Sequence, residues 1–238
     1  MDVGLDELRR DYDAVFLGLG HNAVNQLGLD GEDLPGVENA LDFIARIRQE
    51  PMETLPVGRK VVVIGGGNTA IDIAVQVKKL GAESVVLAYR RGLEEMGATD
   101  HEQEIAQTHG VQIRNWLSPV AVHSNDGRLS AVELEYQAYD ADGRLAGTGE
   151  RVIEPADQLF KAIGQRFEAG LAGHTDGDWP ALAKGRIQVD SSGRTSLPDV
   201  WAGGDCTPGK DLTVVAVNEG QLAADCINQT LANGGSNG

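Results

Sequence analysis

The stretch with the clearest chemical content is Gly65-Gly66-Gly67-Asn68-Thr69-Ala70, which fits the spacing G-x-G-x-x-[GA]. Each small residue has a mechanical reason. Gly65 permits a tight turn, Gly67 lets the backbone come close to a pyrophosphate, and Ala70 lets a helix pack closely on a strand. A helix starting near Asn68 would aim its free N–H groups and positive dipole end at the phosphates. Tyr89-Arg90-Arg91 closes the next apolar run, where an NAD-dependent enzyme usually carries an acid for the ribose 2′-hydroxyl. Two guanidiniums there suit a 2′-phosphate through charge-assisted bidentate bonds. This favours NADPH and leaves NADH possible. The competing reading is a solvated basic pair at a strand end.

A second glycine site follows the apolar run Val200-Trp201-Ala202, as Gly203-Gly204-Asp205. Such a turn can set a carboxylate against a sugar-alcohol hydroxyl. The sequence Val217-Asn218-Glu219-Gly220-Gln221, taken as the start of the last helix, can then face the pyrimidine side of a flavin. A β-turn with a capping Asp is the alternative. Asp72 and Asp100-His101-Glu102 sit on helices near the first site, and His101 reads as part of a solvated helix N-terminus. No Tyr-x-x-x-Lys is present, so no catalytic acid–base pair is assigned. Cys206 reads as structural, and no metal site is expected because the two cysteines form no Cys-x-x-Cys pair.

The elements that must hold these residues alternate. Residues 61–64 form an unbroken apolar run, 69–80 a helical pattern ending at Gly81, 84–89 a second strand, 101–108 a helix and 111–113 a third strand. Such strands belong to a parallel sheet covered on both faces. Before them, residues 37–47 repeat apolar positions at helical spacing, and 14–20 read as a buried strand. Between 120 and 153 the texture changes, and 128–139 alternates polar and apolar residues around the turns Asn125-Asp126-Gly127 and Asp140-Ala141-Asp142-Gly143, which predicts an inserted antiparallel segment. Strands over 159–163, 186–189 and 200–202 and a helix over 214–231 complete the expectation.

Composition narrows the function classes. The 31 glycines exceed the ~7% of average chains, an excess that backbones wrapped around phosphates require and that turn-rich surfaces also collect. A net charge of −16 argues against nucleic acid. No apolar run approaches a membrane span and no signal core follows the first residues, so a cytoplasmic location is expected.

Together these residues resemble the FAD/NADPH half of the glutamate synthase small subunit and the flavin module of dihydropyrimidine dehydrogenase, flavoproteins of the pyridine nucleotide-disulfide oxidoreductase type. The likeness covers almost the whole chain. It is carried by Tyr12-Asp13-Ala14-Val15-Phe16-Leu17, Gly31-Glu32-Asp33-Leu34-Pro35-Gly36, Val63-Ile64-Gly65-Gly66-Gly67-Asn68-Thr69-Ala70-Ile71-Asp72, Tyr89-Arg90-Arg91, Ala162-Ile163-Gly164-Gln165 and Ala202-Gly203-Gly204-Asp205. Met96-Gly97-Ala98 departs from the Met-Pro-Ala often seen in that family.

The resemblance implies a Rossmann-like, doubly wound α/β NAD(P)H-binding domain inserted into an FAD-binding domain. NADPH reduces FAD there, and electrons leave through iron–sulfur clusters for a distant flavin. By this resemblance Gly65, Gly67 and Ala70, with Gly66, Asn68 and Thr69 between them, line the NADPH pyrophosphate, and Arg90 and Arg91 the 2′-phosphate. Asp205 with Glu219-Gly220-Gln221 faces the flavin, and Gly164 and Gly204 join the cofactor-binding set. Family members begin with cysteine-rich iron–sulfur sequence and a first FAD-binding glycine motif, and neither precedes Ala14 here. The expectation is therefore a truncated FAD domain: residues 1–36 and 164–238 around an NAD(P)H domain over 37–163. FAD would be held fully only in a longer parent, with the missing N-terminal FAD/iron–sulfur region or a partner subunit. The leading function is a module passing hydride from NADPH to FAD. An NAD(P)H-binding domain with no turnover of its own is the alternative, and a methyltransferase-like Rossmann protein is disfavoured by the second glycine site and the arginine pair.

Overall fold

The computed structural model describes residues 3–172 and 179–234. Two compact units share the chain: residues 25–164 form one, and residues 1–24 with 165–238 the other. The chain opens with α1 (Leu5–Asp11), β1 (Val15–Leu17) and β2 (Ala23–Val24). The 25–164 unit then holds β3 (Val37–Asn39), α2 (Ala40–Gln49), β4 (Lys60–Ile64), α3 (Asn68–Lys79), β5 (Ser84–Tyr89) and α4 (Asp100–Thr108). It continues through β6 (Val111–Asn115), β7 (Leu117–Asn125), β8 (Arg128–Tyr139), β9 (Leu145–Pro155) and β10 (Gln158–Lys161). Back in the other unit come β11 (Gln165–Arg166), β12 (Leu182–Ala183), β13 (Arg186–Ile187), β14 (Val200–Ala202) and α5 (Thr213–Gly234).

In the 25–164 unit a five-stranded parallel sheet runs β3-β10-β4-β5-β6. From β4 the chain winds outward through α3, β5, α4 and β6, while β10 and β3 lie on the other side of β4. The direction of winding therefore reverses between β4 and β10, and a crevice lies beyond the C-terminal ends of those two strands. Val61 and Val63 of β4 with Val85 and Leu87 of β5 pack under α2, α3 and α4 in one buried cluster. The opposite faces, Val62, Ile64 and Ala88, pack on Leu117, Leu129, Val132 and Leu134 of the antiparallel sheet β7-β8-β9. Both faces of the parallel sheet are covered, as unbroken apolar strands require. The second cover is the inserted sheet, not a further layer of helices.

Local signals explain the boundaries. α3 ends in a Schellman motif: Ala82 N–H donates to the Val77 carbonyl (3.1 Å) and Gly81 N–H to that of Lys78 (3.2 Å), with Gly81 at φ 113. α4 starts in a capping box, where Thr99 Oγ1 accepts from Glu102 N–H (3.3 Å) and Glu102 Oε2 accepts from Thr99 N–H (2.9 Å). One sequence expectation is corrected here. Val37 belongs not to a helix but to edge strand β3, paired with Leu159, and the helix starts at Ala40. The i, i+3 spacing of Val37 and Ala40 imitated a helix although Asn39 is extended.

The other unit holds the parallel pair β1-β14, the antiparallel pairs β11-β2 and β12-β13, and a core of Leu5, Leu17, Ile187, Val200 and Cys206. Among the described residues no helix is long and apolar enough to cross a membrane.

Candidate functional site

The crevice begins where β4 ends. Gly65 turns the chain, donating its N–H to the Ala88 carbonyl (3.1 Å). A Cβ on Gly65 would stand 2.3 Å from the carbonyl oxygen of Ala162, which follows β10, so only glycine fits. At Gly66 a Cβ would fall 2.3 Å from the Tyr89 ring, which lies against this backbone and donates its hydroxyl to the Glu95 carbonyl (2.8 Å). At Gly67 a Cβ would meet nothing within 4 Å. Among the described residues no side chain claims the space over that residue.

Gly67 is also the N-cap of α3, which has no side-chain cap; the Gly67 carbonyl accepts from Ala70 and Ile71 (2.9 and 3.3 Å). The first N–H groups of a buried helix thus face an open position with the positive end of the dipole behind them. Asn68 is exposed and Ala70 fully buried against the sheet. Ala70 therefore serves close packing, while Thr69 reaches the crevice wall.

The crevice encloses about 520 Å³, within the ~300–1,000 Å³ of small-molecule sites. Gly65, Gly66, Gly67 and Thr69 form its floor, Arg90 one end, and Ala162, Ile163 and Gly164 the other. Gly164 takes φ 90. The structure separates the two arginines. Arg90 is exposed and lines the crevice, whereas Arg91 is half-buried and does not line it. The Arg91 carbonyl accepts from Trp116 N–H (3.2 Å) and Asn115 Nδ2 (3.2 Å). Nearby, Glu95 is held below the usual carboxylate range by the Tyr139 hydroxyl, then by the Gly92 N–H and the Arg91 charge. Burial and then the Glu102 charge raise the Asp72 carboxyl, against the pull of Arg48.

Several wall residues escaped sequence reasoning. Gln26 and Leu27 arrive from the start of the unit, and Leu117, Ser118 and Pro119 from the antiparallel sheet. None carries a motif; only the closing of the sheets over the strand ends makes them neighbours.

In the other unit, β14 leads into Gly203-Gly204-Asp205. Gly204, at φ 76, donates its N–H to Glu219 Oε2 (2.7 Å), and its carbonyl accepts from Thr207 Oγ1 (2.8 Å). Glu219 thereby ties α5 to the glycine turn. Asp205 and Gly220 are half-buried and Gln221 is exposed. Cys206 is fully buried, its thiol directed at the carbonyls of Gly203 (3.3 Å) and Leu17 (3.4 Å), as a structural cysteine would be. The sequence placed Glu219-Gly220-Gln221 at the start of the helix, and this is corrected. α5 begins at Thr213, because the Leu212 carbonyl already accepts from Val215 and Ala216 (2.9 and 3.0 Å). The three residues lie well inside the helix.

Comparison with known proteins agrees with this architecture. The family model described as pyridine nucleotide-disulphide oxidoreductase matches residues 3–220. The chain is 36% identical to the glutamate synthase [NADPH] small chain of Escherichia coli (strain K12), aligned over 95% of this chain and 52% of that protein. It is 34% identical to the NADP(+)-dependent formate dehydrogenase subunit beta of Moorella thermoacetica, over 98% of this chain and 34% of that one. The chain thus spans about half or less of these relatives' length. Among solved structures, Mycobacterium tuberculosis FprA in complex with NADPH superposes with a TM-score of 0.75 at 22% identity, covering 98% of this chain and 67% of that one. Thioredoxin reductase from T. acidophilum superposes at 0.71 and 20% identity, over 92% and 66%. With the glycine turn, the uncapped helix and the sheet order on one side and the matched family model on the other, this chain belongs to the pyridine nucleotide-disulphide oxidoreductase family.

Proposed function

We propose that residues 25–164 bind NADPH and that the chain is the nucleotide-reducing module of a flavin-dependent oxidoreductase, passing hydride to FAD and electrons onward to a partner domain or subunit. One observation carries the reading: a single crevice brings together the glycine turn, the uncapped N-terminus of α3 and Arg90. The residues fit the nucleotide. Gly67 has room for a phosphate where a side chain would stand, the helix N-terminus offers N–H donors, and Arg90 offers a guanidinium for the 2′-phosphate. NADPH, when bound, supplies the hydride. The chain's own residues bind and orient it, and the antiparallel sheet walls the crevice from solvent.

The flavin half of the proposal rests on the other unit. Gly203, Gly204 and Asp205 follow a buried strand, with Glu219 bracing the turn, and this arrangement suits a carboxylate set against a ribityl chain. Among the described residues the β1-β14 sheet has two parallel strands, while Phe16, Val214, Val217 and Leu222 are exposed. Parallel strands are normally buried on both faces. These features support completion of the flavin site by a further segment, on the same polypeptide or on a partner subunit. The names of relatives that are subunits of larger enzymes agree with that reading.

The test is a titration of the purified chain with NADPH and NADH, after recording its visible spectrum. Preference for NADPH is expected, and Arg90→Ala should weaken NADPH at least tenfold, about 1.4 kcal/mol, with NADH unchanged. Absence of binding by either nucleotide would remove the assignment. A flavin absorbance in the isolated protein would show that these residues hold FAD without help.

A further inference from the structure

Behind the crevice wall lies a buried charged group that nucleotide binding at the glycine turn does not use. Register partners at the C-terminal end of the parallel sheet run Asn39, Lys161, Ile64, Ala88 and Arg114, so their side chains share one face. Ile64 and Ala88 are apolar there, under the antiparallel sheet. Lys161 is not, yet its side chain is only 7% exposed. Its Nζ donates to Gln26 Oε1 (2.8 Å) and lies 3.6 Å from Glu32 Oε2, in a side chain 13% exposed. Glu32 Oε1 is buried without a hydrogen-bond partner. Burying an ammonium and a carboxylate together is costly and seldom repaid in stability alone.

The third member explains the arrangement. An ammonium has donors and no acceptor, so it fixes which end of the Gln26 amide faces it. Oε1 turns to Lys161 and the Nε2 amino group turns away. Gln26 is exposed and lines the crevice, and among the described residues its Nε2 has no hydrogen-bond partner. Its place is set by the neighbouring Asn25, whose N–H donates to the Gly164 carbonyl (3.1 Å) and whose Nδ2 donates to that of Ile163 (3.2 Å). Gln26 therefore stands at the β10 end of the crevice. Arg90 stands at the β5 end, two strands away or roughly 10 Å, with the glycine turn between them.

A dinucleotide held by its 2′-phosphate at Arg90 and its pyrophosphate over Gly67 directs its other end to Gln26. That end carries a carboxamide, whose oxygen accepts hydrogen bonds. We propose that Gln26 Nε2 donates to the nicotinamide carboxamide, and that Lys161, balanced by Glu32, is the positioning residue that holds the amide in the donating orientation. This rests on the NADPH reading above.

The experiment compares dissociation constants of NADPH and adenosine 2′,5′-bisphosphate, which lacks the nicotinamide end, for the wild type, Gln26→Leu, Lys161→Met and the charge-free pair Lys161→Met/Glu32→Gln. The pair guards against misfolding from a stranded buried Glu32, and the thermal midpoint is recorded for each protein. Gln26→Leu and the pair should each weaken NADPH about five- to tenfold, the scale of one oriented hydrogen bond, and leave the bisphosphate within about twofold. Adding Gln26→Leu to the pair should cost nothing more, because both act through one bond. Equal weakening of both ligands, or no weakening of NADPH by Gln26→Leu in a folded protein, overturns the proposal. Wild-type protein that binds neither ligand overturns the NADPH reading and this proposal with it. Wild-type protein that binds both equally tightly while Gln26→Leu changes nothing overturns this proposal alone.

Discussion

Gly65 and Gly67 occupy the same motif but answer to different demands. A side chain at Gly65 meets the Ala162 carbonyl within the protein, whereas one at Gly67 meets nothing within 4 Å. Gly65→Ala should therefore cost about 1–3 kcal/mol of stability through overpacking, read from the urea midpoint. Gly67→Ala should cost less than about 1 kcal/mol, the scale of an N-cap change, yet weaken NADPH by more than tenfold, because the methyl would fill space needed by phosphate. If Gly67→Ala leaves nucleotide affinity intact, the pyrophosphate does not lie there. The two arginines differ in the same way. Arg90 borders the crevice, while the Arg91 backbone is engaged by Asn115 and Trp116. Arg91→Ala should accordingly change the NADPH preference less than Arg90→Ala does.

At the scale of elements, α4 does more than cover the sheet. Gln103, buried within it, donates from Nε2 to the Ala98 carbonyl (2.9 Å), and Ala98 N–H donates to the Gly66 carbonyl (3.0 Å). A two-bond chain thus joins α4 to the glycine turn. Gln103→Leu would strand the Ala98 carbonyl and should destabilise by about 1–3 kcal/mol, measured by thermal unfolding. In the other unit, α1 is fastened through Arg9, whose Nε (2.8 Å) and Nη2 (2.9 Å) both donate to the Asp199 carboxylate just before β14. The Arg9 bonds hold Asp199 below the usual carboxylate range against the opposing effect of burial. A lowered folded-state value means that this contribution is present above the unfolded value of about 3.9 and is lost as pH falls through the folded one. Asp199→Asn should lower stability at neutral pH by less than about 1 kcal/mol, since the pair is partly solvated. It should also flatten the loss of wild-type stability below about pH 4; an unchanged acid limb would mean that the pair contributes nothing.

At the scale of the molecule, every residue lining the crevice falls within 25–164, and that stretch carries two buried clusters of its own. Residues 25–164 expressed alone should fold cooperatively and bind NADPH within about threefold of the intact chain, a difference under 1 kcal/mol. The remaining unit exposes Val214 at 74% and Val217 at 68% on α5. Val214 and Val217 stand three residues apart on the helix, so they share one exposed face. Val214→Ser/Val217→Ser should reduce binding of a hydrophobic dye without changing NADPH affinity.

The alternation of strands and helices through the 25–164 unit, the glycine turn and the strand Val200–Ala202 were legible in the sequence. Those signals are local: an unbroken apolar run, a glycine after it, a capping box or a glycine stop. The antiparallel insert was legible from its alternation, with β8 falling on the stretch that alternates. Tertiary structure alone decided the rest. Val37 became a strand because β10, more than a hundred residues later, pairs with it. The insert became the second cover of the parallel sheet because its apolar face met Val62, Ile64 and Ala88. Arg90 and Arg91, adjacent in sequence, parted because only one faces the crevice. Gln26, Glu32 and Lys161 carry no common pattern and meet only because the segment entering the unit is tied through Asn25 to the chain just past β10. Periodicity reports which face of an element is apolar, and it holds no record of which distant element will cover that face.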